Sequence, residues 1–153
     1  MLQTRGDAAH FSDGVRQNPI GSLSLTNSAK EPQARRPRVL VVDDERLIAD
    51  TMAEILEGAG FQAATAYDGW SALQVAGILQ PDYLLSDVLM PRMNGVDLAI
   101  AIRKMHPAAR ILLFSGQAGI TEILRVAQNQ GFQFELIAKP VHPLTLIARL
   151  KEL

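Results

Sequence analysis

The chain of 153 residues has no cysteine, which excludes disulfides, thiol catalysis and thiolate metal sites. It has no apolar run near the roughly 18 residues needed to span a bilayer. Its amino terminus shows no continuous apolar segment after the first charge, which argues against a secretory signal. The expectation is therefore a cytoplasmic protein with no membrane partner. A strong net charge is missing too, the formal value being −1. That balance hides an asymmetry. Residues 1–38 carry six Lys/Arg against three Asp/Glu, and the remainder carries nine against thirteen. An acidic body argues against nucleic acid, whose phosphates must be met by Lys and Arg, so no direct DNA binding is expected.

What is present is an ordinary globular composition, 48% apolar and 20% charged, in a length that suits one domain. Residues 1–37 mix Gly, Ser, Asn, Gln and Pro with no sustained period and end in Lys30-Glu31-Pro32-Gln33-Ala34-Arg35-Arg36-Pro37. Such a segment cannot bury enough apolar surface to offset the entropy of ordering, and a flexible tail is expected there. From Arg38 the texture changes. Val39-Leu40-Val41-Val42 reads as a strand covered on both faces, followed by Leu47, Ile48, Met52, Ile55, Leu56 and Ala59 at helical spacing. Strands are then expected near Phe61–Tyr67, Tyr83–Ser86, Ile111–Phe114 and Phe134–Ala138. Helices are expected near Trp70–Leu79 (with Asp68 as N-cap), Gly95–Met105, Thr121–Gln130 and Pro143–Leu153. Five strand–helix units in alternation specify an α/β fold, a parallel sheet with helices on both faces.

In such a sheet ligands collect at the carboxyl ends of the strands. The first strand ends at Asp43-Asp44, the third at Asp87, the fourth at Ser115 and the fifth at Lys139-Pro140. Three carboxylates, a hydroxyl and an ammonium are thus directed to one edge. Like charges packed closely cannot all stay ionised without a cation, and Mg²⁺ suits few carboxylates plus water and phosphate oxygens. One carboxylate can then attack phosphorus to give an aspartyl phosphate, with Lys and Ser meeting the charge on the transferring group.

The segments Val41-Val42-Asp43-Asp44-Glu45, Ser86-Asp87-Val88-Leu89-Met90-Pro91-Arg92-Met93-Asn94-Gly95, Phe114-Ser115-Gly116 and Ala138-Lys139-Pro140 resemble, in order and spacing, the four signatures of response-regulator receiver domains of two-component signalling. The likeness spans residues 38–153. It implies a flavodoxin-like, doubly wound five-stranded sheet of order 2-1-3-4-5 with five helices. It also implies Asp87 as phosphoacceptor, with Mg²⁺ held by Asp43, Asp44, Asp87 and the backbone carbonyl of Leu89. Ser115 and Lys139 would contact the phosphoryl group, the Lys139–Pro140 bond would be cis, and Gly95 would sit where a side chain obstructs the chain. A phosphorelay follows from the same resemblance. The donor would be a histidine kinase or phosphotransfer protein, the chemistry self-catalysed transfer and autodephosphorylation rather than that of a dedicated enzyme, and the output contact with a downstream protein. A monomer or a phosphorylation-dependent dimer is expected. Because the sequence ends at Leu153, just past the last helix, a stand-alone regulator is expected.

One position departs from the family pattern. Three residues before the lysine, where the family usually has Tyr or Phe, stands Leu136; Phe134 would share its strand face and could substitute. The alternatives are a degenerate receiver that binds partners without phosphorylation, and a dehalogenase-type Mg²⁺ phosphatase. The latter needs a second Asp two residues after the nucleophile, where Asp43 is followed by Glu45. His10, His106 and His142 lack metal-like spacing and read as surface residues, Met90 and Met93 as loop packing, and Trp70 as a partly exposed residue at a helix start.

Overall fold

Alternation of apolar residues along short strands decides which helix covers which face. In the computed structural model, which describes residues 34–116 and 120–153, strands β1 (Arg38–Val42), β2 (Gln62–Ala66), β3 (Tyr83–Asp87), β4 (Arg110–Ser115) and β5 (Glu135–Ala138) alternate with helices α1 (Arg46–Gly58), α2 (Gly69–Leu79), α3 (Gly95–Met105), α4 (Thr121–Asn129) and α5 (Pro143–Glu152). All strand pairs are parallel, and the order is β2-β1-β3-β4-β5, as the resemblance implies. Successive side chains of a strand point to opposite faces. Val39, Val41, Leu85, Leu112, Phe114 and Ile137 accordingly pack with Ala49 and Leu56 of α1 and with Leu146 and Leu150 of α5. Leu40, Val42, Leu84, Ile111 and Leu113 pack with Ala72 and Ala76 of α2, with Val96, Leu98, Ala99 and Ile102 of α3, and with Ala127 of α4. The three central strands are buried on both sides, which explains their continuous aliphatic runs.

The tail expected over residues 1–37 falls, for residues 1–33, outside the described residues, and His10 lies there too. Arg36 and Pro37 are tied down. The Pro37 carbonyl accepts from the Gln62 amide at 2.8 Å, and the Arg36 guanidinium donates to the Glu57 and Gly60 carbonyls. Asp68 caps α2 as expected, accepting from the Ser71 amide at 2.8 Å. The strand expected from Phe134 begins one residue later. Phe134 stacks on Phe132, with centroids 6.2 Å apart, and lies beneath the Arg103 guanidinium at 5.6 Å. It packs on the same side of the sheet as Leu136 but is already engaged by these partners at the amino end of β5, the end away from the carboxylates. Among the described residues no helix is long and apolar enough to cross a membrane.

Backbone bonds at the strand ends fix the sheet edge that matters. The Val88 amide donates to the Phe114 carbonyl at 3.0 Å, the Lys139 amide to the Ser115 carbonyl at 3.0 Å, and the Gly95 amide to the Val88 carbonyl at 2.7 Å. The last bond folds the β3–α3 loop back on itself. A Cβ at position 95 would fall well inside contact distance of the Asp87 carbonyl oxygen and within 3.0 Å of the Val88 Cα. Backbone cannot move aside as a flexible side chain can, so Gly is required there. Replacing Gly95 with Ala should cost about 1–3 kcal/mol of stability; urea unfolding checks this, and an unchanged midpoint would mean the loop relaxes freely.

Candidate functional site

Asp87, the last residue of β3, enters a cleft of about 310 Å³ lined by Asp44, Glu45, Ile48, Asp87, Leu89, Ser115, Gly116 and Lys139. Asp43 is fully buried, Asp44 exposed, and Asp87 buried. Carboxylate oxygens of Asp43, Asp44 and Asp87 lie within 4.8 Å of one another. The Lys139 ammonium reaches the group from the end of β5. It donates to Asp43 Oδ2 at 3.0 Å and stands 3.7 Å from Asp87 Oδ2. It also sits 4.6 Å over the Phe114 ring, a cation–π contact that holds it at the rim of the core. Asp43 Oδ1 accepts from the Glu45 amide at 2.9 Å, so this carboxylate braces the turn into α1 and anchors the lysine together. Ser115 is buried at the end of β4, and the Lys139–Pro140 bond is cis.

The charge does not balance. Three carboxylates face one ammonium, so two negative charges are uncompensated when all are ionised. The structure shows where the strain falls. Burial pushes the Asp87 carboxyl from its ordinary 3.8 up to about 6, against the pull of Lys139 and with further upward push from Asp43 and Asp44. A divalent cation with a preference for oxygen matches both the missing charge and the donor set. Asp43, Asp44 and Asp87 are the carboxylates that could hold it, with the Leu89 segment lining the same cleft.

The structure brings Asp43, Asp44, Asp87, Ser115 and Lys139 to one place. A phosphatase centred on Asp43 would leave Asp87 without a role, contrary to this arrangement. Several contributors had no separate reading in the sequence. Glu45 and Ile48 line the cleft because the first turn of α1 begins there, and Ile48 lies one helical turn after Asp44. Phe114 supports Lys139 through tertiary packing, which local sequence does not encode. Arg92 adopts φ +70 inside a tight turn closed by the Met93 amide on the Pro91 carbonyl at 2.8 Å; arginine has no preference for that region, and nothing in the sequence announces it. Of the two histidines described, His142 is exposed and caps α5 through Nδ1, while His106 is half-buried with its Nε2 3.1 Å from the Ala76 carbonyl.

Comparison with known proteins agrees with this fold. The family profile described as the response regulator receiver domain matches residues 39–151. The DNA-binding response regulator MtrA of Mycobacterium tuberculosis is 32% identical over 116 residues, 76% of this chain and 50% of that protein. The transcriptional regulatory protein PrrA of the same species is 34% identical over 117 residues, 76% of this chain and 49% of that protein. The chain thus spans about half the length of these relatives. Among solved structures, the chemotaxis protein CheY4 of Vibrio cholerae superposes with a TM-score of 0.68 at 28% identity, covering 76% of this chain and 98% of that one.

These relatives correct one expectation. The expected absence of direct DNA binding rests on the acidic charge of the chain beyond its first 38 residues. MtrA is named as DNA-binding, and only half of it aligns. A receiver portion need not carry the basic surface itself, because phosphate contacts can reside in the half that does not align. Net charge here therefore excludes nothing about DNA.

The raised carboxyl gives a signed pH dependence. In metal-free protein the folded state holds the Asp87 proton up to about pH 6, whereas the unfolded chain releases it near its ordinary value. Stability from this group is therefore lost as pH rises between those limits. In the presence of a chelator, Asp87→Asn should gain on the wild type from about pH 4 to about pH 6.5, reaching on the order of 1–3 kcal/mol. Urea unfolding at several pH values checks this; a difference that stays flat across the range would contradict it.

Proposed function

The chain belongs to the response regulator receiver family, in which phosphorylation on aspartate is a family property, and from that premise we propose that Asp87 accepts a phosphoryl group from a histidine kinase in a Mg²⁺-dependent reaction. The observation that carries this reading is the meeting of Asp43, Asp44 and Asp87 carboxylate oxygens within 4.8 Å, beside an ammonium, in one open cleft. An Asp87 Oδ atom attacks phosphorus as the P–N bond to the donor imidazole breaks. The electron pair leaves on the imidazole nitrogen, which takes a proton. Mg²⁺, when bound by Asp43, Asp44, Asp87 and the Leu89 carbonyl, would supply positive charge against the phosphoryl oxygens. Lys139 shifts its ammonium from Asp43 toward the new dianion, and the Ser115 hydroxyl donates to a phosphoryl oxygen. The protein acts as a signalling module whose only chemistry is its own phosphorylation and its reversal. We place it in the cytoplasm, where Mg²⁺ and phosphoryl groups derived from nucleoside triphosphates are available.

Output would run through protein contact at the face formed by α4, β5 and α5. Helix α4 has one buried residue, Ala127, and a new phosphate charge can bias such an element. A second reading, a receiver that binds partners without phosphorylation, draws on one observation. Leu136 pairs with Leu113 beside the site and offers neither ring nor hydroxyl to report the modification.

Intact mass after exposure to acetyl phosphate and Mg²⁺ separates the readings. The wild type should gain one phosphoryl group, Asp87→Asn none, and chelation should abolish the gain. Lys139→Gln should slow it at least about tenfold. No gain in the wild type would favour the phosphorylation-independent module, and turnover of unrelated phosphate esters would indicate a phosphatase.

A further inference from the structure

Helix α2, Gly69–Leu79, has no ionisable side chain, and neither does Gln80 at its C-cap. Two of its large residues are open to solvent, Trp70 at 61% and Ile78 at 88%, and Gln74 and Gly77 between them are also exposed. At 3.6 residues per turn these four positions form one stripe, about 12 Å from end to end. Its relief is uneven. The indole projects at one end, while a Cβ built on Gly77 at the other meets nothing within 4 Å, leaving a notch flanked by Ile78. Gln74 lies midway, with an amide that both donates and accepts.

We propose that this stripe is a self-association face on which two copies of the chain pair with α2 antiparallel to α2. A two-fold axis through Gln74 sets each Trp70 ring onto the other copy's Gly77 and against its Ile78. It also brings the two Gln74 amides together, where each can donate to the other. That is the self-complementarity an isologous interface demands, in which residue i meets j and j meets i. The lack of charge points the same way. Copies facing each other bring no like charges together, whereas a partner with a charged face would lose solvation against this stripe without an ion pair in return. Antiparallel packing also sets opposite helix dipole ends side by side. One helix face only about 16 Å long buries far less than the roughly 800 Å² per partner of a standard stable interface. The pair is therefore weak and closed, a dimer with no larger species.

Sedimentation equilibrium of the full chain from about 10 to about 500 µM tests this. The mass should move from the 16.7 kDa monomer toward twice that value and no further. Emission from Trp70, the sole tryptophan, should shift to shorter wavelength over the same range as its ring leaves water. Gly77→Gln, which fills the notch, and Ile78→Glu, which buries an unpaired charge against the other copy's Trp70 ring, should each weaken association at least tenfold. Gly77→Ala serves as the folding control. It should raise the melting temperature through better helix propensity while still weakening association. A wild type that stays at 16.7 kDa throughout would overturn the proposal. So would a dimer whose affinity is the same in Gly77→Gln and Ile78→Glu.

Discussion

Two unbalanced negative charges at one edge of the sheet are the constraint on which the rest of the structure depends. Asp43, Asp44 and Asp87 would separate if their strands allowed it. They stay together because β1 and β3 are neighbours held by a parallel ladder, and because the loop after Asp87 is folded back through Gly95. Lys139 arrives from β5 by a different route, fixed by its amide on the Ser115 carbonyl and its ammonium over Phe114. Burial of the aliphatic strands thus provides the free energy that holds like charges close, and the Asp87 carboxyl is reluctant to ionise chiefly because it is itself buried, with Asp43 and Asp44 adding to the effect. A site of this kind is poised to bind a cation and then a phosphoryl group, since each relieves part of what the fold imposes.

The sequence disclosed the parts whose causes are local. The run Val39–Val42 announces a strand buried on both faces, Asp68 announces the start of α2, and α3 has the bounds its pattern implies, Gly95–Met105. The candidate residues were legible because each ends a strand, and parallel topology gathers strand ends. What was hidden depends on contacts distant in sequence. The start of β5 shifted because Phe134 is taken up by Phe132 and Arg103. That Lys139 rests on Asp43 rather than Asp87, over a ring supplied by Phe114, follows from three strands meeting. Arg92 in the left-handed region is a demand of the loop and not a preference of arginine. Arg36 and Pro37, read as tail from composition, are fastened by carbonyl contacts that composition does not register.

Charge was informative at the site and misleading beyond it. Within the cleft, individual carboxylates at known strand ends define chemistry. Averaged over residues 38–153, the same acidity argues against DNA, yet half the length of MtrA, named as DNA-binding, aligns with this chain. Helix α2 shows the converse. Its complete neutrality carries no signal in a periodic segment, and it matters only once the structure shows which of its residues face water. Placement turns composition into a physical statement.

The central claim is that the fold buries Asp87 beside two further carboxylates, so that its charged form is disfavoured until a divalent cation relieves it. Titration of the Asp87 side-chain carboxyl by carbon-13 NMR, with and without Mg²⁺, reads this most directly. Without the ion the carboxyl should titrate near 6; with Mg²⁺ its titration should fall below the ordinary carboxylate range. A carboxyl that titrates at its ordinary value without the ion, or one that Mg²⁺ leaves unmoved, would contradict the account.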